Sequence, residues 1–159
     1  MRQIVQKAEF KKFIKWFVPI GLFMAIGGCL TTYTQLLEVG SHSLEGIHYL
    51  LMLKNAHIKR GDIVSIQGHT PQYVGSHNFT KRVVGLPGDQ IIRGKAGLTL
   101  RAQNGAFSIT LPLLAKTKEG KPITALSLNH IHEGYVFVIG DHLRSFDSRY
   151  EEFGLVKLE

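Results

Sequence analysis

The sequence has a single cysteine, Cys29, which excludes an internal disulfide framework. The fold therefore does not depend on an oxidising compartment. The chain also has no internal repeat, low-complexity tract or long linker after residue 37. Hydrophobic residues make up 44% of its 159 residues, which is enough for one compact domain with a real core.

Charge is absent from one long stretch, residues 16–37. A helix of this length, rising about 1.5 Å per residue, could cross a hydrocarbon core of roughly 30 Å. The pattern predicts a transmembrane helix over residues 16–37. We expect a basic segment over residues 1–15 before it and an extracytoplasmic domain over residues 38–159 after it.

Acidic residues are scarce in the basic segment, where Glu9 alone opposes five basic residues: Arg2, Lys7, Lys11, Lys12 and Lys15. Much of the net charge of +7 therefore lies before the apolar stretch. Positive flanks stay on the cytoplasmic side of a membrane, so the domain is expected outside the cytoplasm. That domain lacks a basic stripe interleaved with aromatic residues, which argues against a nucleic-acid partner.

The apolar stretch has two alternatives to an uncleaved anchor. Its most apolar part, residues 17–30, also has the length of a cleaved signal peptide, but no clear small-x-small cleavage site ends it. The run before Leu30 resembles a lipoprotein processing site at Cys29, although Gly27 fits that site poorly. The sequence favours an uncleaved anchor, and lipidation at Cys29 stays open.

Beyond the anchor, windows of amphipathic helical pattern are few. Short runs rich in β-branched and aromatic residues, separated by Gly and Pro, predict six strands: residues 47–54, 62–66, 82–85, 98–102, 107–110 and 135–139. Asn104-Gly105 between two of these runs is a strong hairpin signal. We predict a mainly β fold, with a single antiparallel β domain on one N-terminal transmembrane helix.

Metal-binding motifs are also lacking, since HExxH is absent. His130 and His132 could face one side of a strand, but no third ligand follows at a sequence spacing typical of metal sites. A pair of surface histidines is the simpler interpretation. The sequence therefore predicts no metal site.

Two serines, Ser41 and Ser43, lie two residues apart soon after the membrane run. In an extended segment their hydroxyls face the same way, so one could attack a carbonyl while the other donates to the oxyanion. His42 between them suggests a Ser-His-Asp triad with Asp141 or Asp147, but adjacent residues on a strand point to opposite faces. A solvated polar linker is the alternative.

Lys81 begins a run that continues through Val83 and Val84 and breaks at Pro87-Gly88-Asp89. This pattern predicts a buried strand that ends in a tight turn. Burial disfavours a charged ammonium, so a lysine beside such a strand is pushed toward the neutral form, which is a base. An exposed lysine at the start of a strand is the alternative.

Polar residues are concentrated directly after the apolar strand at 135–139. Ser145, Asp147 and Arg149 follow within about ten residues, at the expected edge of the core. Buried polar groups must pair with one another or with a ligand. Asp147 and Arg149 are predicted to form a charge-assisted pair that shapes the loop, whereas Ser145 is better placed to orient another group.

Four motifs occur in one order along the chain: GSHSL at 40–44, KRGDIV at 59–64, KRVVGLPGD at 81–89 and GDHLRSFDSR at 140–149. Together they resemble the conserved boxes of type I signal peptidases, the membrane-bound serine proteases with a Ser-Lys dyad. The resemblance implies signal-peptide-bearing exported precursors as substrates and a single pass through the bilayer of the bacterial inner membrane. The compact domain is also similar to the conjugation-linked branch that processes pilins and other transfer proteins.

The resemblance implies a reaction that needs neither a metal nor an organic cofactor, and a role for each matching residue. Ser43 is the expected nucleophile, Lys81 the general base, Ser41 the second oxyanion donor and Ser145 the serine that orients the lysine. Structural support of the site is implied for five residues: Arg82, Gly140, Asp141, Asp147 and Arg149. Scaffold roles in the second box are implied for Arg60, Gly61 and Asp62.

The chain departs from the family beside the nucleophile, where Leu44, Glu45 and Gly46 replace the usual methionine and a nearby proline. Leu44 conserves volume. A carboxylate near Lys81 would favour the charged lysine, so the Glu45 side chain is expected to point away from it. These departures leave one rival function, a non-catalytic membrane-anchored β module that serves secretion or pilus assembly.

Overall fold

The computed structural model describes residues 2–38, 44, 46, 48–54, 57–75 and 78–158, with side chains from residue 14 onward. The chain forms two compact units. One contains Met1–Leu37 and Leu51–Ala56, and the other contains Glu38–Leu50 and His57–Glu159.

The first unit is built on a helix, α1 (Arg2–Tyr33). Its Ile14–Tyr33 part is long and apolar enough to cross a membrane. The helix contains Pro19, which membrane helices tolerate because neighbouring groups re-satisfy the freed backbone groups.

The helix ends at Tyr33, four residues before the predicted end at residue 37. The next residues form strand β1 (Thr34–Glu38), which pairs with β2 (Tyr49–Leu53) in a two-stranded sheet. Lys54 explains the stop, because its backbone N–H donates to the Tyr33 carbonyl (2.9 Å) and its Nζ donates to the Thr31 carbonyl (3.0 Å). Carbonyls of the last turn thereby gain partners outside the helix, which the apolar run could not reveal.

The second unit consists mainly of two antiparallel sheets, which confirms the predicted fold class. One sheet has the order β3-β4-β8-β9, and its strands are β3 (Ile63–Ile66), β4 (Phe79–Gly85), β8 (Tyr135–Ile139) and β9 (Val156–Lys157). The other has the order β5-β6-β7, with β5 (Gln90–Gly94), β6 (Gly97–Arg101) and β7 (Ser108–Leu111). All six predicted strands are present, whereas β1, β5 and β9 were not predicted.

The predicted hairpin around Asn104-Gly105 is confirmed. β6 and β7 pair antiparallel, with Leu98 opposite Leu111 and Arg101 opposite Ser108. Gly105 has a φ of 72°, in the left-handed region where a glycine has no Cβ penalty.

Strand β4 lies between β3 and β8, which places Lys81 inside the larger sheet. Lys81 is opposite Val64 of β3, and Arg82 is opposite Ile139 of β8. Two clusters of buried apolar side chains flank this strand: one includes Val84, Leu100 and Phe137, and the other includes Val83, Val138 and Phe153. Strand β4 therefore places Lys81 beside a packed apolar interior.

Close packing at the end of β4 leads to a stability prediction. Gly85 is opposite Phe137, and a Cβ added there would lie 2.8 Å from the Phe137 Cβ and would also meet the Ile131 side chain. We expect Gly85→Ala to lower the free energy of unfolding by about 1–3 kcal/mol, the usual cost of overpacking. Urea unfolding of the detergent-solubilised chain measures it.

Gly94→Ala is the matched control, because the nearest atom to its added Cβ is 3.9 Å away. It should change the free energy of unfolding by less than about 0.5 kcal/mol. Equal losses in both variants would contradict the packing argument.

Candidate active site

Lys81 is buried, with 3% of its surface exposed. Its Nζ donates a hydrogen bond to the Ser145 Oγ at 2.8 Å. Burial, the largest cause, lowers the pKa of Lys81 from 10.5 to about 8. The Asp147 carboxylate acts to raise this pKa, and the Arg149 guanidinium acts to lower it. The structure therefore brings together Lys81 and Ser145, two residues that lie 64 positions apart in the chain.

Ser145 lies on a loop that follows β8 and is held by a buried ion pair. Asp147 is 0% exposed and accepts hydrogen bonds from the Arg149 Nε at 2.8 Å and Nη2 at 3.0 Å. The Gly140 N–H also donates to the Asp147 carboxylate at 3.1 Å. Every oxygen of this carboxylate thus has a partner, as a buried charge requires.

Arg149 connects this ion pair to the backbone around Ser145. Its guanidinium donates to the carbonyls of Ser145 (2.9 Å), Leu143 (3.2 Å) and Pro112 (3.0 Å). Burial acts to lower the pKa of Arg149, but the hydrogen bond and charge of Asp147 outweigh it and raise that pKa. The guanidinium stays charged and fixes the backbone that carries the Ser145 hydroxyl.

The net electrical effect on Lys81 depends on the same pair. An unpaired Asp147 would stabilise the ammonium and raise the pKa of Lys81, whereas Arg149 acts in the opposite direction. Because Arg149 is bound to Asp147, its charge offsets much of the carboxylate field at Lys81. Desolvation therefore determines the direction of the Lys81 pKa shift, which is downward.

Arg82 and Asp141 form a second, more exposed ion pair at the edge of the site. The Arg82 Nε and Nη2 donate to the two carboxylate oxygens of Asp141, each at 3.0 Å. Arg82 also donates to the Gly61 carbonyl at 3.2 Å. These contacts join three of the four motifs, and the hydrogen bond with Asp141 raises the pKa of Arg82.

Arg60 and Asp89 form an ion pair that the sequence did not reveal. The Arg60 Nη2 lies 2.8 Å from the Asp89 Oδ2, which also accepts from the Leu86 N–H at 2.8 Å. The Arg60 guanidinium lies 4.3 Å from the centroid of the Phe107 ring and donates to the Val84 carbonyl. The motifs contain both residues, but their separation of 29 positions hides the pairing.

A cavity of about 860 Å³ opens beside Lys81 and Ser145, which both line it. This volume falls within the roughly 300–1,000 Å³ that is typical of ligand sites. Apolar and aromatic side chains form much of its lining: Tyr73, Phe79, Leu114, Ile123, Phe146 and Tyr150. No sequence motif marks these residues, because they come from separate segments that only folding joins.

Several predicted residues lie outside the part of the chain that the structure describes: Gly40, Ser41, His42, Ser43 and Glu45. Leu44 is described and buried, with 2% of its surface exposed. The His130 and His132 rings lie 4.6 Å apart, centroid to centroid. Within the described ranges, no group of three or more His, Cys, Asp or Glu side chains could hold a metal.

Comparison with models of protein families identifies one family. The family model described as signal peptidase, peptidase S26, matches residues 10–159. Among solved structures, a signal peptidase I from Enterococcus faecalis is similar, with 28% sequence identity and a TM-score of 0.41, over 64% of this chain and 91% of that chain. No curated protein matches the chain.

Proposed function

Because this chain belongs to the signal peptidase family, peptidase S26, we propose that it cleaves signal peptides from exported precursors with a Ser-Lys dyad. Ser43 is the nucleophile of this proposal and Lys81 is its general base. The observation that carries it is the buried Lys81, whose pKa is about 8 and whose Nζ contacts Ser145 at the wall of a ligand-sized cavity.

The reaction is acyl transfer in two halves. Neutral Lys81 accepts the proton from the Ser43 hydroxyl as Ser43 attacks the scissile carbonyl, and it then gives that proton to the leaving amine. Water deacylates Ser43 by the same route. The Ser41 hydroxyl and the Ser43 backbone N–H donate to the oxyanion, where one such donor contributes on the order of 3 kcal/mol.

The lowered pKa makes Lys81 suitable for this role. At pH 8, about half of a group with a pKa of about 8 is neutral, whereas a lysine at the ordinary value of 10.5 is less than about 1% neutral. The shift corresponds to about 3 kcal/mol of differential interaction between the two forms. Ser145 keeps the neutral amine oriented, since its backbone is held by Arg149.

The family and the apolar helix suggest membrane anchoring. We further propose which side of the membrane each end of the helix faces. The basic residues before residue 16 support a cytoplasmic N-terminus, with one pass through the inner membrane and the β domain on the far side. The lipid bilayer is then a partner of α1, and precursors meet the site while still held by their signal segments.

Specialisation for conjugation is a finer proposal. It rests on the likeness of the compact domain to the branch that processes pilins and other transfer proteins. Comparing the N-termini of exported proteins in cells that carry wild type or Ser43→Ala tests it. One or a few transfer proteins should change; a change across the secretome would contradict the specialisation.

The pH dependence of processing tests the lysine base. Only neutral Lys81 accepts a proton, so kcat/KM should rise about tenfold per pH unit below pH 8 and level off above it. At pH 6 it should be about 100-fold below the plateau. Cleavage of a fluorogenic precursor peptide, with circular dichroism at each pH as the control for folding, gives the profile. A flat profile from pH 6 to 9 in a folded chain would contradict the proposal.

A further inference from the structure

Exposed cations surround the cavity beside Lys81 and Ser145. Its lining includes Lys116, Lys118, Lys121 and Arg144, all exposed, and a single carboxylate, Glu119. We call these four cations the basic rim. The described lining thus combines an apolar floor with a strongly positive edge.

Three of the four cations lie on one short hairpin. Lys116 and Pro122 pair antiparallel, and the Thr117 N–H donates to the Lys121 carbonyl at 2.8 Å. Gly120 takes a φ of 81°, which lets the chain turn between them. The lysines are therefore presented by a hydrogen-bonded turn.

The one carboxylate of the described lining, Glu119, does not neutralise the basic rim. Hydrogen bonds to its own backbone N–H and to Thr117, helped by Lys118 and Lys121, lower the pKa of Glu119, so it stays ionised and engaged within the turn. Lys121 also lies 5.1 Å from the centroid of the Tyr73 ring, a cation–π contact with another residue of the cavity lining. Among the described residues, Lys116 and Arg144 form no ion pair, and Glu119 is the one carboxylate of the lining to offset four cations. A ligand with carboxylates would complement this excess of positive charge.

We infer that the cavity selects precursors with acidic residues near the cleaved bond, bound with apolar side chains toward the floor and carboxylates toward the basic rim. This inference rests on the proposed function and adds a substrate class to it. A peptide fits better than a lipid headgroup, because the cations line the same cavity as Lys81 and Ser145.

The experiment compares two precursor peptides with two charge variants of the full chain in detergent. One peptide carries glutamates on both sides of the cleaved bond, and its copy carries glutamines. The rim variant combines Lys116→Gln, Lys118→Gln and Lys121→Gln. The control variant removes the same charge from exposed residues that do not line the cavity, with Lys95→Gln, Arg101→Gln and Lys157→Gln.

Wild type should process the glutamate peptide with a kcat/KM about tenfold above that of the glutamine peptide at low salt, because each exposed charge pair is worth roughly two- to fivefold. The ratio should fall toward one in about 1 M salt, where the Debye length is about 3 Å. In the rim variant, the two peptides should have nearly equal kcat/KM values. In the control variant, the preference for the glutamate peptide should remain.

Equal processing of both peptides by wild type would overturn the inference, as would equal losses in the rim and control variants. Binding to phosphatidylglycerol vesicles is measured in parallel. If the rim variant loses vesicle binding but keeps the peptide ratio, the rim binds membrane lipid and the inference is wrong.

Binding of both peptides to the Ser43→Ala chain separates this inference from the proposed function. Tighter binding of the glutamate peptide supports the inference even if wild type cleaves neither peptide, which would refute only the proposed function. Cleavage without discrimination in processing or binding refutes the inference and leaves the proposed function intact.

Discussion

Replacing Ser43 with alanine, or Lys81 with methionine, is expected to lower precursor processing by at least about 10³-fold. Members of a nucleophile–base pair act as a unit, so removing either one removes most of the chemical step. The double variant should be no slower than the slower single variant, because their effects are not additive. Gel or mass-spectrometric assay of a purified precursor measures the remaining activity.

Unfolding would not explain the expected loss of precursor processing in Lys81→Met, because this substitution should not destabilise the chain. The folded-state pKa of about 8 lies below the ordinary 10.5, so the unfolded chain binds more protons between these values and stability rises with pH across that window. Below pH 8, the buried ammonium opposes folding by about 3 kcal/mol. Methionine avoids this cost, and the lost hydrogen bond to Ser145 offsets part of the gain.

Lys81→Met should therefore be at least as stable as wild type at pH 7, and its advantage should disappear by about pH 10.5. Urea unfolding at both pH values checks this. A folded Lys81→Met chain that processes precursor at the wild-type rate would rule out Lys81 as the base. Ser43→Ala at the wild-type rate would rule out the nucleophile.

Breaking the buried ion pair should have the largest effect on stability. Arg149→Met leaves Asp147, which is 0% exposed, without its main charge partner. We expect a loss of about 3–5 kcal/mol in the free energy of unfolding, because an uncompensated buried charge is far more costly than a missing pair. Urea unfolding of the solubilised chain measures the loss.

Two further variants control this prediction. Asp147→Leu added to Arg149→Met should recover part of the stability, since no buried charge then lacks a partner. Arg82→Met, at the exposed pair with Asp141, should cost no more than about 1 kcal/mol. A loss as large in Arg82→Met as in Arg149→Met would contradict the role of burial.

The same variant should change the pH profile if it remains folded. Without Arg149, the Asp147 carboxylate acts unopposed on Lys81 and raises its pKa, so the rise in processing should shift to higher pH. A merely structural role for Arg149 would lower activity without moving the profile.

Local patterns predicted much of the fold. The six runs rich in β-branched and aromatic residues are strands, and Asn104-Gly105 lies in the hairpin loop. Two of the three missed strands lack a comparable local signal: β9 has only two residues, and β1 follows an uncharged run without a break. Their partner strands are β8 and β2, each more than ten residues away along the chain.

The sequence by itself determined the order of the four motifs, the apolar helix and the chemical types of the candidate site residues, because these depend on composition and short-range spacing. Only the tertiary structure decided that Lys81 is 3% exposed, that Ser145 meets its amine and that Arg149 moderates Asp147. Desolvation and electric fields depend on every atom packed around a group. The basic rim beside Lys81 likewise exists only where distant segments fold around one cavity.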